Sequence, residues 1–193
     1  MSSLQKLNLR FGVITLMIFL AAISRIIPHP HNFAPIGGMA LFGAAYFTKH
    51  RWAFIIPIIS MWISDLALNN VVYGRYFDGF VWFYAGSFFT YAAFALIVVF
   101  GVFTLKKVRT PNIIVSALGA SVIFFIVSNF GVWFSGTMYP KDLGGLLTCF
   151  AAGIPFFGNT VFGDLVYSAI LFGLFELSTR RFPQLRSQPV IKQ

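Results

Sequence analysis

Six apolar stretches alternate with short polar loops along this chain, at roughly residues 11–27, 34–48, 52–69, 81–105, 112–134 and 146–178. A helix needs ~20 apolar residues to cross ~30 Å of hydrocarbon, so the pattern predicts an all-α membrane protein, a six-transmembrane-helix bundle. The second stretch is short. The sixth is over-long and carries Pro155, which predicts a re-entrant break there and a helix restarting near Gly158. Residues 1–178 read as a single transmembrane domain and 179–193 as a basic cytoplasmic tail.

Charge placement adds a direction. With six crossings and an inner N-terminus, one side holds Lys6, Arg10, Lys49, Arg51, Lys106, Lys107, Arg109, Arg180, Arg181, Arg186 and Lys192, which is 11 of the 14 basic residues. The other holds Arg25, Arg75 and Lys141. Lys and Arg in short loops mark the cytoplasmic side, so both termini are expected there, in a multi-pass protein of the cell inner (plasma) membrane. A cleaved leader ending near Ala22 and Ser24 would leave five helices. It would also set Lys49 and Arg51 against a cytoplasmic C-terminus, so residues 11–27 are read as the first membrane helix.

Composition agrees: 58% of residues are hydrophobic and 10% charged, against about 25% charged in soluble proteins. The net charge of +9 is spread over four membrane-flanking segments rather than one face. Anionic membrane lipid is therefore the expected partner, and nucleic acid is not. A single cysteine, Cys149, excludes an internal disulfide and a cysteine metal cage.

Ionisable groups inside hydrocarbon cost roughly 2.5 to 3.5 kcal/mol each on insertion scales, so those present are paired, hydrated or functional. Asp65 lies in MWISDLALNN with Asn69 one turn on. Asp164 lies in GNTVFGDLVY, Asn129 in FFIVSNFGVWF, and Arg25 closes the first helix. Counted along the helices at 1.5 Å per residue, they fall in the outer half of the bilayer at comparable height. The simplest arrangement that satisfies them is an outward-facing polar cavity. The alternative is a pairing of Arg25 with Asp65 or Asp164 that only pins helices together.

Three outer loops would cap such a cavity. The first, IIPHPHNFAPIGG, is stiffened by Pro28, Pro30 and Pro35, and Gly37 with Gly38 permits close backbone approach as the chain re-enters the membrane. Its His29 and His31 share one side of an extended chain. Interfacial imidazoles bonded to backbone or water are expected there in preference to metal ligands, and no metal or cofactor is assigned. The second loop brings Tyr73, Arg75, Tyr76, Asp78 and Trp82, the aromatic and hydrogen-bonding mixture suited to a planar organic ligand and common in any interfacial loop. The third brings Lys141 and Asp142 with Gly144 and Gly145, a candidate gate. Ala40 and Ala44 form a small-residue surface for a close helix neighbour within this chain or outside it.

Catalytic signatures are absent: no HExxH, no GxSxG, no P-loop and no dinucleotide fingerprint. No catalytic residue is assigned and an enzyme is not expected. The stretches RIIPHPHNFAPIGGMALFGA, PIISMWISD, SNFGVWFSGTMYP and AAGIPFFGNTVFGD resemble a bacterial family of small integral membrane proteins of poorly defined function, over about Arg25 to Phe175. Size, helix number and outer polar groups also make the chain similar in architecture to the substrate-binding S components of energy-coupling factor (ECF) vitamin transporters.

That second resemblance implies a bundle that holds a vitamin or precursor near the outer surface and works with an ECF-type energising module or as a homo-oligomer. The solitary cobalamin-type S components are nearest in length. The chain departs from that group in having no cysteine in the second outer loop and no A-x-x-x-A surface in the first helix. The functional expectation is a membrane-embedded binding or uptake protein for a vitamin-like small molecule. Arg25, Asp65, Asn69, Asn129 and Asp164 would line its pocket, and His29, His31, Tyr76 and Trp82 would cap it. The alternatives are a non-transporting scaffold or assembly subunit of an envelope complex, whose pocket would fall below ~300 Å³, and a membrane enzyme acting on lipid, with a carboxylate pair open to the bilayer.

Overall fold

The computed structural model describes residues 3–186, and all regular structure among them is helical. The last part of the expected tail, 187–193 with Lys192, lies outside the described residues. The helices are α1 (Ser3–Ser24), α2 (Ile36–Tyr46), α3 (His50–Ala67), α4 (Ser87–Thr104), α5 (Thr110–Ser135) and α6 (Leu143–Arg181). A π-helical turn, Leu68–Val72, extends α3, and short 3-10 turns follow at Gly74–Tyr76 and Pro183–Leu185. Five of the six helices, all but α2, are long and apolar enough to cross a membrane.

Pairwise packing runs α1–α3–α4–α5–α6 and back to α1, and α2 touches all five. The bundle is therefore a ring of five long helices around one short one. From Ile36 to Ala44 every residue of α2 is buried. Conversely, the ring helices present outward rows such as Ile55, Ile59 and Ile63 on α3, or Val115, Leu118, Val122 and Ile126 on α5. Spacings of three and four residues make these continuous helix faces, and so much exposed apolar surface marks a molecule solvated by lipid.

The second crossing differs from the expected helix over 34–48. The Phe11 and Trp52 rings meet at 5.4 Å at one end of α1 and α3, and Arg25 pairs with Asp65 at the other, so these two helices run parallel. The chain between them must recross the bundle, and it does so with only eleven helical residues, about 16 Å of rise. Irregular chain with turns after α1 and at Pro30–Phe33 supplies the rest. Such irregular backbone is tolerated at membrane depth where protein encloses it, and Phe33 and Ala34 are enclosed by close approach to Gly163 of α6.

The expected break near Pro155 is also corrected. Helix α6 runs uninterrupted through Pro155 for 39 residues, about 58 Å. Proline removes one backbone donor from the ladder, and membrane helices accommodate that loss by local adjustment. At its start Asp142 accepts a hydrogen bond from Gly145 N at 2.7 Å, an N-cap that fixes where the helix begins.

Without a hydrophobic drive between helices in lipid, close packing has to hold them together. The Ala40–Ala44 surface serves this inside the chain: Ala44 lies against Gly101 of α4, where a Cβ would collide with it. The two ends of the described segment come together, since Arg10 Nη1 donates to Leu185 O at 3.0 Å. Both therefore lie at the same end of the bundle, called here the terminal face.

Candidate functional site

A helix buried on all sides must still satisfy the backbone groups at its ends. At the start of α2, Gly37 N donates to Asp164 Oδ1 at 2.9 Å, across 127 residues of sequence. Ser121 of α5 donates to the other oxygen, Oδ2, at 2.7 Å. At the far end Arg10 Nη2 donates to Tyr46 O at 3.2 Å. A carboxylate thus faces the positive end of the α2 dipole and a guanidinium the negative end. Gly37 and Gly38 make the first contact possible, because a Cβ on either would collide with Asp164 or Tyr167.

A second polar cluster ties α1, α3 and α4. Arg25 Nη1 lies 2.7 Å from Asp65 Oδ1 and donates to Ser64 Oγ at 2.6 Å. Tyr91 donates to Asp65 Oδ2 at 2.7 Å. Asp65 is buried and both its oxygens are engaged. Arg25 uses only Nη1 in these bonds, which leaves the Nη2 and Nε donors of its five-donor fork.

Between these clusters lies a cavity of about 390 Å³. Its exposed rim carries His29, Asn32 and Tyr73, and its floor carries the buried Ile36 and Asp164. Arg25, Thr90, Ser128, Asn129 and Thr160 give it polar walls, and Leu68, Phe124, Val132 and Phe156 give it apolar ones. The polar groups are stacked along the bundle axis rather than gathered at one height. Asn129 lies eight residues beyond Ser121 on α5, about 12 Å, while Ser121 touches Asp164 at the floor.

The loop between α3 and α4 is held down by Asn70. Its Nδ2 donates to Val81 O at 2.9 Å and its Oδ1 accepts from Val81 N at 2.7 Å, a two-point clamp. The π-helical turn closes with Tyr73 N donating to Leu68 O at 2.8 Å, and both of these residues line the cavity. Tyr84, in the loop before α4, completes the lining on this side. Burial pushes its hydroxyl above the ordinary phenol value, with a hydrogen bond to Thr90 pulling the other way. It remains a neutral donor.

Four of the nine residues expected at a site line this cavity: Arg25, His29, Asn129 and Asp164. Asp65 stands behind Arg25 as its ion partner. His31, Asn69, Tyr76 and Trp82 lie outside the lining. His31 packs edge-on against Phe156, and its carbonyl accepts from Asn159 Nδ2 at 2.9 Å, which fastens the first loop to α6. Tyr76 is exposed under the Arg75 guanidinium. Trp82 stacks with Trp62. Tyr73, from the same aromatic loop, lines the cavity together with Tyr84 and Thr90, and for the last two a polar residue near a loop–helix junction was the only hint.

Three smaller expectations settle into structural roles. Lys141 donates to the carbonyls of Trp133, Phe134 and Gly136, so it caps the C-terminus of α5. Gly145 packs against the Pro140 carbonyl and is held by Asp142, an anchored turn rather than a hinge. Cys149 is buried, with Sγ 3.4 Å from Asn129 O. His29 Nδ1 lies 2.7 Å from Ile27 O, and no group of three metal-ligating side chains occurs among the described residues.

Neither a curated protein nor a solved structure matches the chain. The match found is to a family described as of unknown function, DUF6580, and it covers residues 5–185. That range takes in all six helices apart from the first two residues of α1, and every residue lining the cavity. The chain belongs to the DUF6580 family of unknown function.

Proposed function

We propose that this protein is a membrane-embedded binding or uptake protein for a small, vitamin-like molecule taken up in the cavity opposite the terminal face. The observation that carries the reading is a 390 Å³ space that combines an incompletely used guanidinium with side-chain amides, hydroxyls and aromatic walls. Binding pockets of ~300 to 1,000 Å³ pair a mostly apolar lining with a few directed polar groups. The unused donors of Arg25 favour an anionic group on the ligand, held away from the Asp164 carboxylate that already caps α2, with Asn129 and Tyr84 as further hydrogen-bonding groups. The volume lies at the low end of the range and so favours a small vitamin or precursor over a corrinoid.

Both buried carboxylates are held by protein partners, Asp65 by Arg25 and Tyr91 and Asp164 by Gly37 and Ser121. That supports binding over chemistry, since neither is left free as an acid or base. The basic bias of the terminal face supports a cytoplasmic placement of the termini in the plasma membrane, with the cavity opening outward. Delivery of the ligand would then need an energising partner of the ECF type or a second copy of the chain.

Thermal unfolding of the purified protein against a panel of vitamins and small carboxylates tests the reading. A ligand-specific rise in Tm that is lost in Arg25→Ala and Asn129→Ala supports it. No shift across the panel, together with no small molecule co-purifying with the protein, overturns it.

A further inference from the structure

A second and larger cavity, about 560 Å³, lies on the terminal half of the α5–α6 seam. The two helices are drawn together at Ser121 and Asp164, 2.7 Å apart, and the cavity lies from Ala117 and Leu165 toward the terminal face. Along α6 it reaches from Leu165 to Arg180, fifteen residues, or about 22 Å. One leaflet of a ~30 Å hydrocarbon core, with its headgroup layer, has that depth. Near the inner end Ser168 is 1% exposed, and its hydroxyl has no hydrogen-bond partner among the described residues.

The walls and the mouth differ in kind. Ile113, Ile114, Phe172 and Gly173 make the walls apolar, and Ile114 is exposed on the lipid-facing side. The mouth holds Arg109, Arg180 and Glu176. Arg180 pairs with Glu176 at 3.1 Å, whereas the Arg109 side chain makes no hydrogen bond or ion pair among the described residues, its backbone carbonyl alone accepting from Ile113 N. Arg109 also precedes the first turn of α5, where Thr110 and Asn112 carry backbone donors that favour an anion and Pro111 carries none. Lys106 and Lys107 stand just before it.

We propose that this groove is a binding site for an anionic phospholipid, with its phosphate at Arg109 and the α5 N-terminus and one acyl chain along the α5–α6 seam. Charge at the mouth, apolar walls and a depth of one leaflet are complementary to that class of molecule. Basic pockets between membrane helices hold anionic headgroups in this way. The site is separate from the outer cavity and does not depend on what that cavity binds.

Native mass spectrometry of the whole protein, released from micelles doped with phosphatidylglycerol or phosphatidylcholine, reads lipid retention directly. Arg109→Gln removes the charge. Gly173→Leu fills the groove at a position where an added Cβ meets nothing within 4 Å. Arg51→Gln, on the same face but outside the groove, is the control.

Phosphatidylglycerol should be retained by the wild type and the control in preference to phosphatidylcholine. Arg109→Gln should weaken it about fivefold, the scale of ~1 kcal/mol per basic residue near an anionic surface, and Gly173→Leu should abolish selective retention. Equal retention of the two lipids, unchanged retention in either variant, or full competition by inorganic phosphate would overturn the proposal.

Discussion

Asp164 Oδ1 lies 2.9 Å from the backbone nitrogen of Gly37, so a carboxylate on the last helix caps the first turn of the shortest one. Helix α2 is too short to span the membrane and too buried to be solvated, so its free backbone donors need a partner from elsewhere in the chain. Asp164 supplies it at the floor of the 390 Å³ cavity, which makes one residue both a structural cap and part of the candidate site.

Replacement of Asp164 by alanine would strand Gly37 N–H and leave the Ser121 hydroxyl only Ala117 O, 3.0 Å away in its own helix. Hydrogen bonds to charged groups contribute about 1.5 to 3 kcal/mol each, and a loss of about 2 to 4 kcal/mol is expected for Asp164→Ala. Asp164→Asn keeps an acceptor toward Gly37 and should lose less. Denaturant unfolding in detergent, followed by tryptophan fluorescence, ranks the two.

The glycine before this cap gives a contrasting pair. Gly37→Ala would drive a methyl into the Asp164 carboxylate, whereas Gly12→Ala on α1 meets nothing within 4 Å. The first should lower Tm markedly. The second should leave it unchanged or raise it slightly, since alanine favours helix over glycine by about 0.5 to 1 kcal/mol.

Arg25 and Asp65 form a buried pair, and removing one partner leaves the other charge unmatched. Single substitutions Arg25→Ala and Asp65→Asn should each destabilise the protein, with the alanine change costing about 3 to 5 kcal/mol. The double variant should be less destabilised than the sum of the two. A double-mutant cycle on unfolding free energy measures that coupling.

Asn129 is a cleaner probe of the cavity than either charge. Its Nδ2 donates to Phe125 O at 2.8 Å within its own helix, and Gly153 opposite leaves room for its side chain. Asn129→Ala should weaken ligand about tenfold, ~1.4 kcal/mol, while Tm of the unliganded protein stays close to wild type. Gly153→Ala should have the same effect on ligand by displacing the Asn129 amide.

The ring helices were legible in the sequence because each carries an apolar run long enough to cross hydrocarbon, and Arg25, Asp65 and Asp164 stood out because charge is costly there. Two features were not legible. The central helix has the composition of a membrane span, but its ends are set by Asp164 and Arg10, contacts 127 and 36 residues distant that no local pattern encodes. The cavity rim was misplaced for a related reason: the Asn70 clamp on Val81 and the π-helical turn decide which loop side chains face inward. Tyr73 and Tyr84 therefore line the cavity where Tyr76 and Trp82 were expected.

Accessibility of the cavity wall from outside the cell tests the central claim most directly. Cys149 is 2% exposed, so a cysteine introduced as Ser128→Cys can be read against a quiet background with a membrane-impermeant thiol reagent on intact cells. The account predicts labelling of this cysteine from the outside, slowed by the ligand that raises Tm. Labelling only after denaturation, or only from the cytoplasmic side, would contradict it.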